Sequence, residues 1–272
     1  VTLQRKLNIV SGSSSVESIM GVLMNVRLLC LYFILTVASM PAFTPSLSLY
    51  EKTVCVRATG WAILDIGILI ADHSLDNHLD AADRGDYTRN SVSAFDRWAV
   101  RPKSDGLAEG SDYLLASMCG GTVFLLADNS CREDFLVLGE ALLAQSALAN
   151  ISKSLVQRPR PYTYDSETSD TDFTHRDAIR SFYSGHTSAA FCMATVVDCL
   201  HRRDNGPDWR VTTALYTMAG GVGALRVASG SHFPTDVVVG ASVGTLVGWT
   251  LTRSGHVEPL IGTRSLGFRY RF

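Results

Sequence analysis

The 272-residue chain carries 24 Lys and Arg against 26 Asp and Glu, a net charge of -2, so it lacks the basic excess of a nucleic-acid binder. At 46% hydrophobic and 18% charged, with a mean hydropathy of +0.14, it is apolar for a soluble protein and polar for a bundle lying wholly in lipid. The length suits one large domain or two small ones, each with a sizeable core.

Residues 1–23 are polar and Ser-rich. From Met24 the chain reads MNVRLLCLYFILTVASMPAF, in which one Arg precedes an apolar stretch from Leu28 to Val37 and small residues follow. That is the pattern of a secretory signal peptide, and an uncleaved anchor has the same composition. Residues 1–43 are therefore expected to be a leader with a signal peptide or anchor. Residues 44–255 are expected to form a single helical domain. Its apolar stretches at 60–71, 113–127, 135–151, 187–200, 211–225 and 237–252 are each long enough for a helix, and none alternates like a strand. The spacing predicts an all-α bundle of about six helices. The polar segment 73–112 reads as an irregular excursion with short helices, its Phe95 and Trp98 packing on the bundle. The acidic loop 164–172 reads as solvated. In the tail 256–272, Leu266, Phe268, Tyr270 and Phe272 alternate with Gly267, Arg269 and Arg271, which is strand periodicity.

Of the six cysteines, Cys30 lies in the signal-like stretch, and Cys192 and Cys199 stand two helical turns apart, roughly 10 Å, too far to bridge. With no CxxC pair, a zinc site is not expected, and no other cofactor is called for. The cysteines read as small core residues.

Three clusters carry chemistry. KSLVQRPRP, 153–161, closes a helix that Pro159 and Pro161 stop. YSGHTSA, 183–189, opens the next helix, with His186 in its first turn. In RVASGSHFPTD, 226–236, Pro234 marks a helix start, so His232 is displayed just before it and Asp236 lies four residues on. If consecutive helices run antiparallel, all three meet at one end of the bundle. They assemble Lys153, Arg160, Arg226, two histidines, a carboxylate and two helix N-termini. Such a cup suits a phosphate: first-turn amides and guanidinium groups both bind its oxygens. His175, Arg176, Asp177 and Arg180 precede the second cluster and read as ordinary charged residues, with lining of the cup's entrance as the alternative. His201, Arg202 and Arg203 read as a solvated cap at the far end of their helix.

These residues resemble the type 2 phosphatidic acid phosphatase superfamily, which includes vanadium haloperoxidases and bacterial class A acid phosphatases. Its motifs are K-x6-R-P, P-S-G-H and S-R-x5-H-x3-D. Lys153 and Arg160-Pro161 fit the first, Ser184-Gly185-His186 the second, and Arg226, His232 and Asp236 the third. Tyr183 stands where Pro is usual and Leu225 where Ser is usual. The likeness spans roughly 153–236, and the helical pattern extends it from about 60 to 252. It implies that His232 attacks phosphorus to form a phosphohistidine, that Asp236 holds the other nitrogen of His232, and that His186 protonates the leaving group. Lys153, Arg160, Arg226 and the amides near Ser184 and Gly185 would bind the phosphate, with no metal. The implied activity is hydrolysis of a phosphomonoester or diphosphate, either a phosphorylated lipid or a small phosphate ester. The alternatives are vanadium-dependent haloperoxidase chemistry and a non-catalytic phospholipid-binding protein.

A signal-like segment places the active end in the cell envelope, periplasmic or otherwise outside the cytoplasm, and membrane-associated or membrane-anchored. The uncharged runs are mostly shorter than the roughly 20 residues a span needs. Asp65, Glu140 and Asp198 interrupt them, and charges are expensive in lipid. A cleaved signal and a bundle resting on a membrane surface is the expected arrangement.

Overall fold

The computed structural model describes residues 48–74, 77–127, 132–254, 257–262 and 265–270. The signal-like segment and the leader lie outside these residues. Among the described residues, six long helices form a bundle: α1 (Leu49–Ser74), α2 (Asp105–Ala127), α3 (Arg132–Val156), α5 (Gly185–Asn205), α6 (Trp209–Ala228) and α7 (Pro234–Ser254). Between α3 and α5 lies a short helix, α4 (Asp170–Thr174). Each apolar stretch of the sequence falls inside one long helix. After α7, β1 (Val257–Gly262) and β2 (Ser265–Tyr270) pair antiparallel, from Val257 opposite Tyr270 to Gly262 opposite Ser265. The expected tail strand therefore has a partner that the alternation did not reveal.

Local chemistry sets the helix ends. Gln157, at φ 48°, turns the chain out of α3 just before the two prolines. The Ser184 hydroxyl accepts from Thr187 N and caps α5. Asp208 caps α6 by accepting from Arg210 N at 2.8 Å. Pro234 opens α7. There Asp236 Oδ2 accepts from Phe233 N at 2.9 Å, closing the first turn with a carboxylate.

Long-range ties confirm that neighbours run antiparallel. Arg203 of α5 reaches Asp134 of α3 at 2.8 and 3.0 Å, and Arg202 bonds Asp198 and Thr212, each at 2.8 Å. These two arginines stay exposed, as expected of a solvated cap, and also join helices. At the opposite end, Ser184 N donates to Asp236 O at 3.1 Å and Ser104 N to Ser229 O at 3.0 Å. That second end gathers the starts of α2, α5 and α7 and the ends of α1, α3 and α6.

The excursion is shorter than expected. It holds three 3-10 turns, Ala81–Asp86, Arg89–Ser91 and Arg97–Ala99, and α2 already begins at Asp105. Val92, Ala99 and Val100 pack against Val227 and Phe233 beside the third cluster. Phe95 and Trp98, expected on the bundle, are 64% and 56% exposed. The turn directs Asp96 inward in their place, where it meets a guanidinium.

α1 has its polar face inward and its apolar face outward. Toward α3, Glu51 pairs with Arg132, Arg57 with Glu140 at 2.9 Å, Asp65 with Ser146 at 2.9 Å and Asn150 at 2.5 Å, and Asp72 with Ser154 at 3.0 Å. Outward stand Val56, Ile63, Ile66 and Ile70, all more than half exposed. Tyr50–Ser74 is long and apolar enough to cross a membrane. Asp65, Glu140 and Asp198 are buried and partnered inside the bundle, so they carry none of the cost that charges have when they face lipid.

Candidate active site

Backbone ties seat the three clusters side by side. Arg160 N donates to Ala178 O at 2.7 Å, Ser181 N to Arg158 O at 2.9 Å, and Tyr162 N to Gly230 O at 3.3 Å. Gly230 sits at φ 71°, and a Cβ there would meet Arg101 O at 3.0 Å, so the excursion presses on the turn that displays His232.

His232 is 1% exposed. Its Nδ1 lies 2.7 Å from Ser181 O. A carbonyl only accepts, so Nδ1 carries the proton and Nε2 presents a lone pair. Nε2 has no hydrogen-bond partner. Burial, then the charges of Arg160, Arg226, Lys153 and His186, hold the His232 pKa well below its ordinary value. This side chain is a neutral imidazole facing a cluster of cations.

Asp236 is fully buried but stands 3.8 Å from His232 Nδ1, beyond hydrogen-bond reach. The resemblance implied a direct bond. Here the Ser181 carbonyl makes it, while Asp236 Oδ2 accepts from Ser181 Oγ at 2.5 Å and from Phe233 N. Asp236 thus braces His232 through its two neighbours. Its other oxygen accepts from Arg158 at 2.5 Å, and Arg158 also reaches Asp96 at 2.8 Å and lies over the Phe233 ring.

The cations are fixed in turn. Arg160 donates to Asp177 O at 2.7 Å, to Asp177 Oδ2 at 2.6 Å and to Ser231 O at 3.2 Å. The Asp177 side chain is about half exposed; partial desolvation works to raise its carboxyl, but Arg160, Lys153 and Arg180 outweigh it and hold it well below the usual range. Arg226 is buried, and its Nη1 lies 3.3 Å from Ser111 Oγ and 3.9 Å from Asp112 Oδ1. Lys153 Nζ lies 3.5 Å from where a Cβ on Gly185 would stand, so glycine keeps that approach clear. Ser184 spends both its groups on structure: its N–H on Asp236 O and its hydroxyl on Thr187, 2.9 Å away. Helix geometry leaves the Gly185 and His186 amides, not that of Ser184, to face an anion.

His186 opens α5 with Nε2 2.9 Å from Asp112 Oδ1. Desolvation and Arg226 pull its pKa down to about 4, against the opposing pull of Asp112. Asp112, Asp96, Arg158 and Ser181 were not singled out in the sequence. Their roles depend on partners far along the chain, and only the helix order places them. Asp177, read from sequence as an ordinary charge, grips Arg160. Arg176 and Arg180 both pair with Asp72 of α1. Among the described residues, no group of three or more His, Cys, Asp or Glu side chains is placed to hold a metal ion.

Residues 134–258, which contain all eight of the expected site residues, match the PAP2 superfamily model. The match is a similarity over a little under half of the chain. Over 95 residues the chain is 41% identical to a lipid A 1-phosphatase of Porphyromonas gingivalis, a match covering 35% of this chain and 20% of that relative's length. Among solved structures, LpxE of Aquifex aeolicus is 25% identical, with a TM-score of 0.40 over 57% of this chain and 90% of its own. A PAP2-type phosphatidylglycerolphosphate phosphatase of Bacillus subtilis is 21% identical, with a TM-score of 0.42 over 70% and 93%. The matched segment runs from the start of α3 to the first strand, so α1, the excursion and α2 are supports outside it.

Proposed function

We propose that the chain is a phosphatase that hydrolyses a phosphomonoester or diphosphate of a lipid through a phosphohistidine on His232. The observation that carries this reading is the bare, buried Nε2 of a neutral His232 among Lys153, Arg160 and Arg226. A protonated imidazole could not attack phosphorus, and an exposed one would lose to water as a partner for its lone pair. The three cations and the first-turn amides of α5 stabilise the equatorial oxygens as charge redistributes, the role a metal ion plays elsewhere. His186 stands at the same end to protonate the leaving oxygen and then to activate water.

Two observations favour a lipid: the similarity to a lipid A 1-phosphatase, and the apolar outward face of α1. That face contacts acyl chains in this reading, with the active end outside the cytoplasm. Retention in the membrane pellet after carbonate extraction supports lipid contact, and quantitative release argues against it.

The test of the reaction is rapid-quench trapping of an acid-labile phosphoenzyme, beside turnover of phosphatidate, an isoprenyl diphosphate, lipid A and an aryl phosphate. His232→Ala is expected to lose both turnover and phosphoenzyme. A phosphoenzyme that survives in His232→Ala moves the nucleophile elsewhere. Halide oxidation with added vanadate and peroxide, in place of ester hydrolysis, selects the haloperoxidase alternative, and phosphate-lipid binding without turnover selects the binding protein.

A further inference from the structure

The two histidines of the site differ in what holds them. His232 Nδ1 faces a neutral carbonyl, while His186 Nε2 faces the carboxylate of Asp112 at 2.9 Å. Divergent environments of this kind separate a base or nucleophile from an acid. Asp112 sits in the second turn of α2, outside the matched segment, and belongs to none of the three motifs. Its carboxylate also stands 3.4 Å from Ser111 Oγ and 3.9 Å from Arg226, whose Nε is buried without a hydrogen-bond partner.

Resting on the phosphatase reading, we infer that Asp112 is the positioning residue of the proton donor. It fixes the His186 ring by accepting from Nε2–H, supports the imidazolium, and restrains Arg226 until a phosphate arrives. A proton on Nε2 leaves Nδ1 to do the transfer. In the first step His232 Nε2 bonds to phosphorus, the bond from phosphorus to the leaving oxygen breaks, and His186 Nδ1–H protonates that oxygen. In the second step water attacks phosphorus, His186 Nδ1 takes its proton, and the phosphorus–nitrogen bond breaks to release phosphate and neutral His232. Asp112 stabilises the charged form of His186 at the start and end of this cycle, as a carboxylate does for a catalytic histidine.

The charges facing His186 come from four elements: Asp112 on α2, Arg226 on α6, Lys153 on α3 and His232 before α7. Asp112 is the acid among them, so removing its charge leaves Arg226 and Lys153, both of which disfavour protonation. It also removes a negative charge from beside Arg226. The two effects oppose each other in a readable way. Asp112→Asn lowers the His186 pKa and weakens proton donation, yet it tightens or preserves binding of a dianion. Loss of a merely structural contact loosens the cup and weakens both.

The experiment compares wild type, Asp112→Asn and Asp112→Glu in the full chain. It measures the His186 imidazole titration by NMR, kcat against pH on an alkyl phosphate and on 4-nitrophenyl phosphate, and inhibition by inorganic phosphate and orthovanadate. In Asp112→Asn the titration should move to lower pH, and the basic limb of kcat should move with it. The alkyl ester should lose a large part of the general-acid contribution, which is typically about 100- to 10,000-fold, and the phenyl ester far less. Inhibition should be as tight as in wild type or tighter, and Asp112→Glu should recover part of the alkyl rate. An unmoved titration, an equal loss on both esters, or weakened vanadate inhibition overturns the role of Asp112 while the phosphatase reading stands. A wild-type chain that hydrolyses no phosphate ester overturns that reading and the inference together.

Discussion

At the scale of single residues, the first motif holds two arginines with different tasks. Arg160 fits the motif spacing and lies in the cup. Arg158, two positions earlier, bridges Asp236 and Asp96 and covers Phe233. Both carboxylates are almost wholly buried, at 0% and 1% exposed. Without the guanidinium each is a charge lacking its cation. Arg158→Ala should therefore destabilise the protein by about 3–5 kcal/mol, as breaking a buried pair does. Arg158→Lys, which cannot span both carboxylates with a planar fork, should recover only part of it. Denaturant titration of the two variants checks this, and a loss below about 1 kcal/mol in Arg158→Ala would show that water replaces the guanidinium. The residues that meet the phosphate in our reading were legible because their chemistry and spacing are local: Lys153, Arg160, His186, Arg226 and His232 each stand beside a helix end that the sequence marks. Asp96, Asp112 and Ser181 were not. A carboxylate in a polar excursion reads as solvated, and only the fold shows it turned inward. One signal was available for Asp112: it stands just before an apolar helical stretch whose start the antiparallel order puts at the site.

At the scale of elements, α5 and α7 carry the two histidines and lie closer together than ordinary side chains allow. A Cβ on Gly240, Gly244 or Gly248 of α7 would meet a backbone oxygen of α5 or its cap, belonging to Ser184, Ser188 and Cys192, at 2.6, 2.1 and 2.7 Å. Glycine at every fourth position makes a groove along α7 into which the α5 backbone settles. Gly244→Ala forces the helices apart, since a backbone oxygen cannot move aside as a side-chain tip can. It should cost about 1–3 kcal/mol, typical of overpacking, and lower kcat because Asp236 and His232 ride on the start of α7. Gly220 of α6, where a Cβ meets nothing within 4 Å, supplies the control: Gly220→Ala should be neutral or stabilising by up to about 1 kcal/mol. Thermal denaturation beside steady-state rates tests the pair, and equal behaviour of the two variants would remove the close-approach argument. Helix existence was legible from apolar length and caps. The orientation of α1 was not, because composition counts Asp65 and Ile63 without saying which faces in. Of the charges that argued against lipid contact, Asp65 and Glu140 line the seam between α1 and α3, and Asp198 bonds Arg202 and Thr212 between α5 and α6.

At the scale of the whole molecule, one end sorts several cations against two histidines. Lys153, Arg158, Arg160, Arg180 and Arg226 gather there with two histidines, although the chain as a whole carries a net charge of -2. The sorting has a consequence for stability that net charge hides. Unfolded, each histidine takes up a proton near its ordinary value of 6.5. Folded, His186 resists until about pH 4, and His232 until well below its ordinary value. Between those limits the unfolded chain binds more protons than the folded one, so stability rises with pH and falls on acidification through that window. The slope is at most about 1.4 kcal/mol per pH unit for each histidine. Below the window the lowered carboxyls of Asp112 and Asp177, which must be protonated against their cations, continue the loss in the same direction. A bound dianion should reverse the histidine contribution, because its negative charge offsets the cations that depress His186 and His232. Phosphate or orthovanadate should then bind with net uptake of protons at about pH 6, and the uptake should vanish in His186→Gln with His232→Gln. Calorimetric titration in buffers of differing ionisation enthalpy reads the uptake directly, and thermal midpoints from about pH 7 to 5 read the stability slope. A midpoint that stays level over that range, together with binding that moves no protons, would mean that the cations do not act on the histidines as their placement requires.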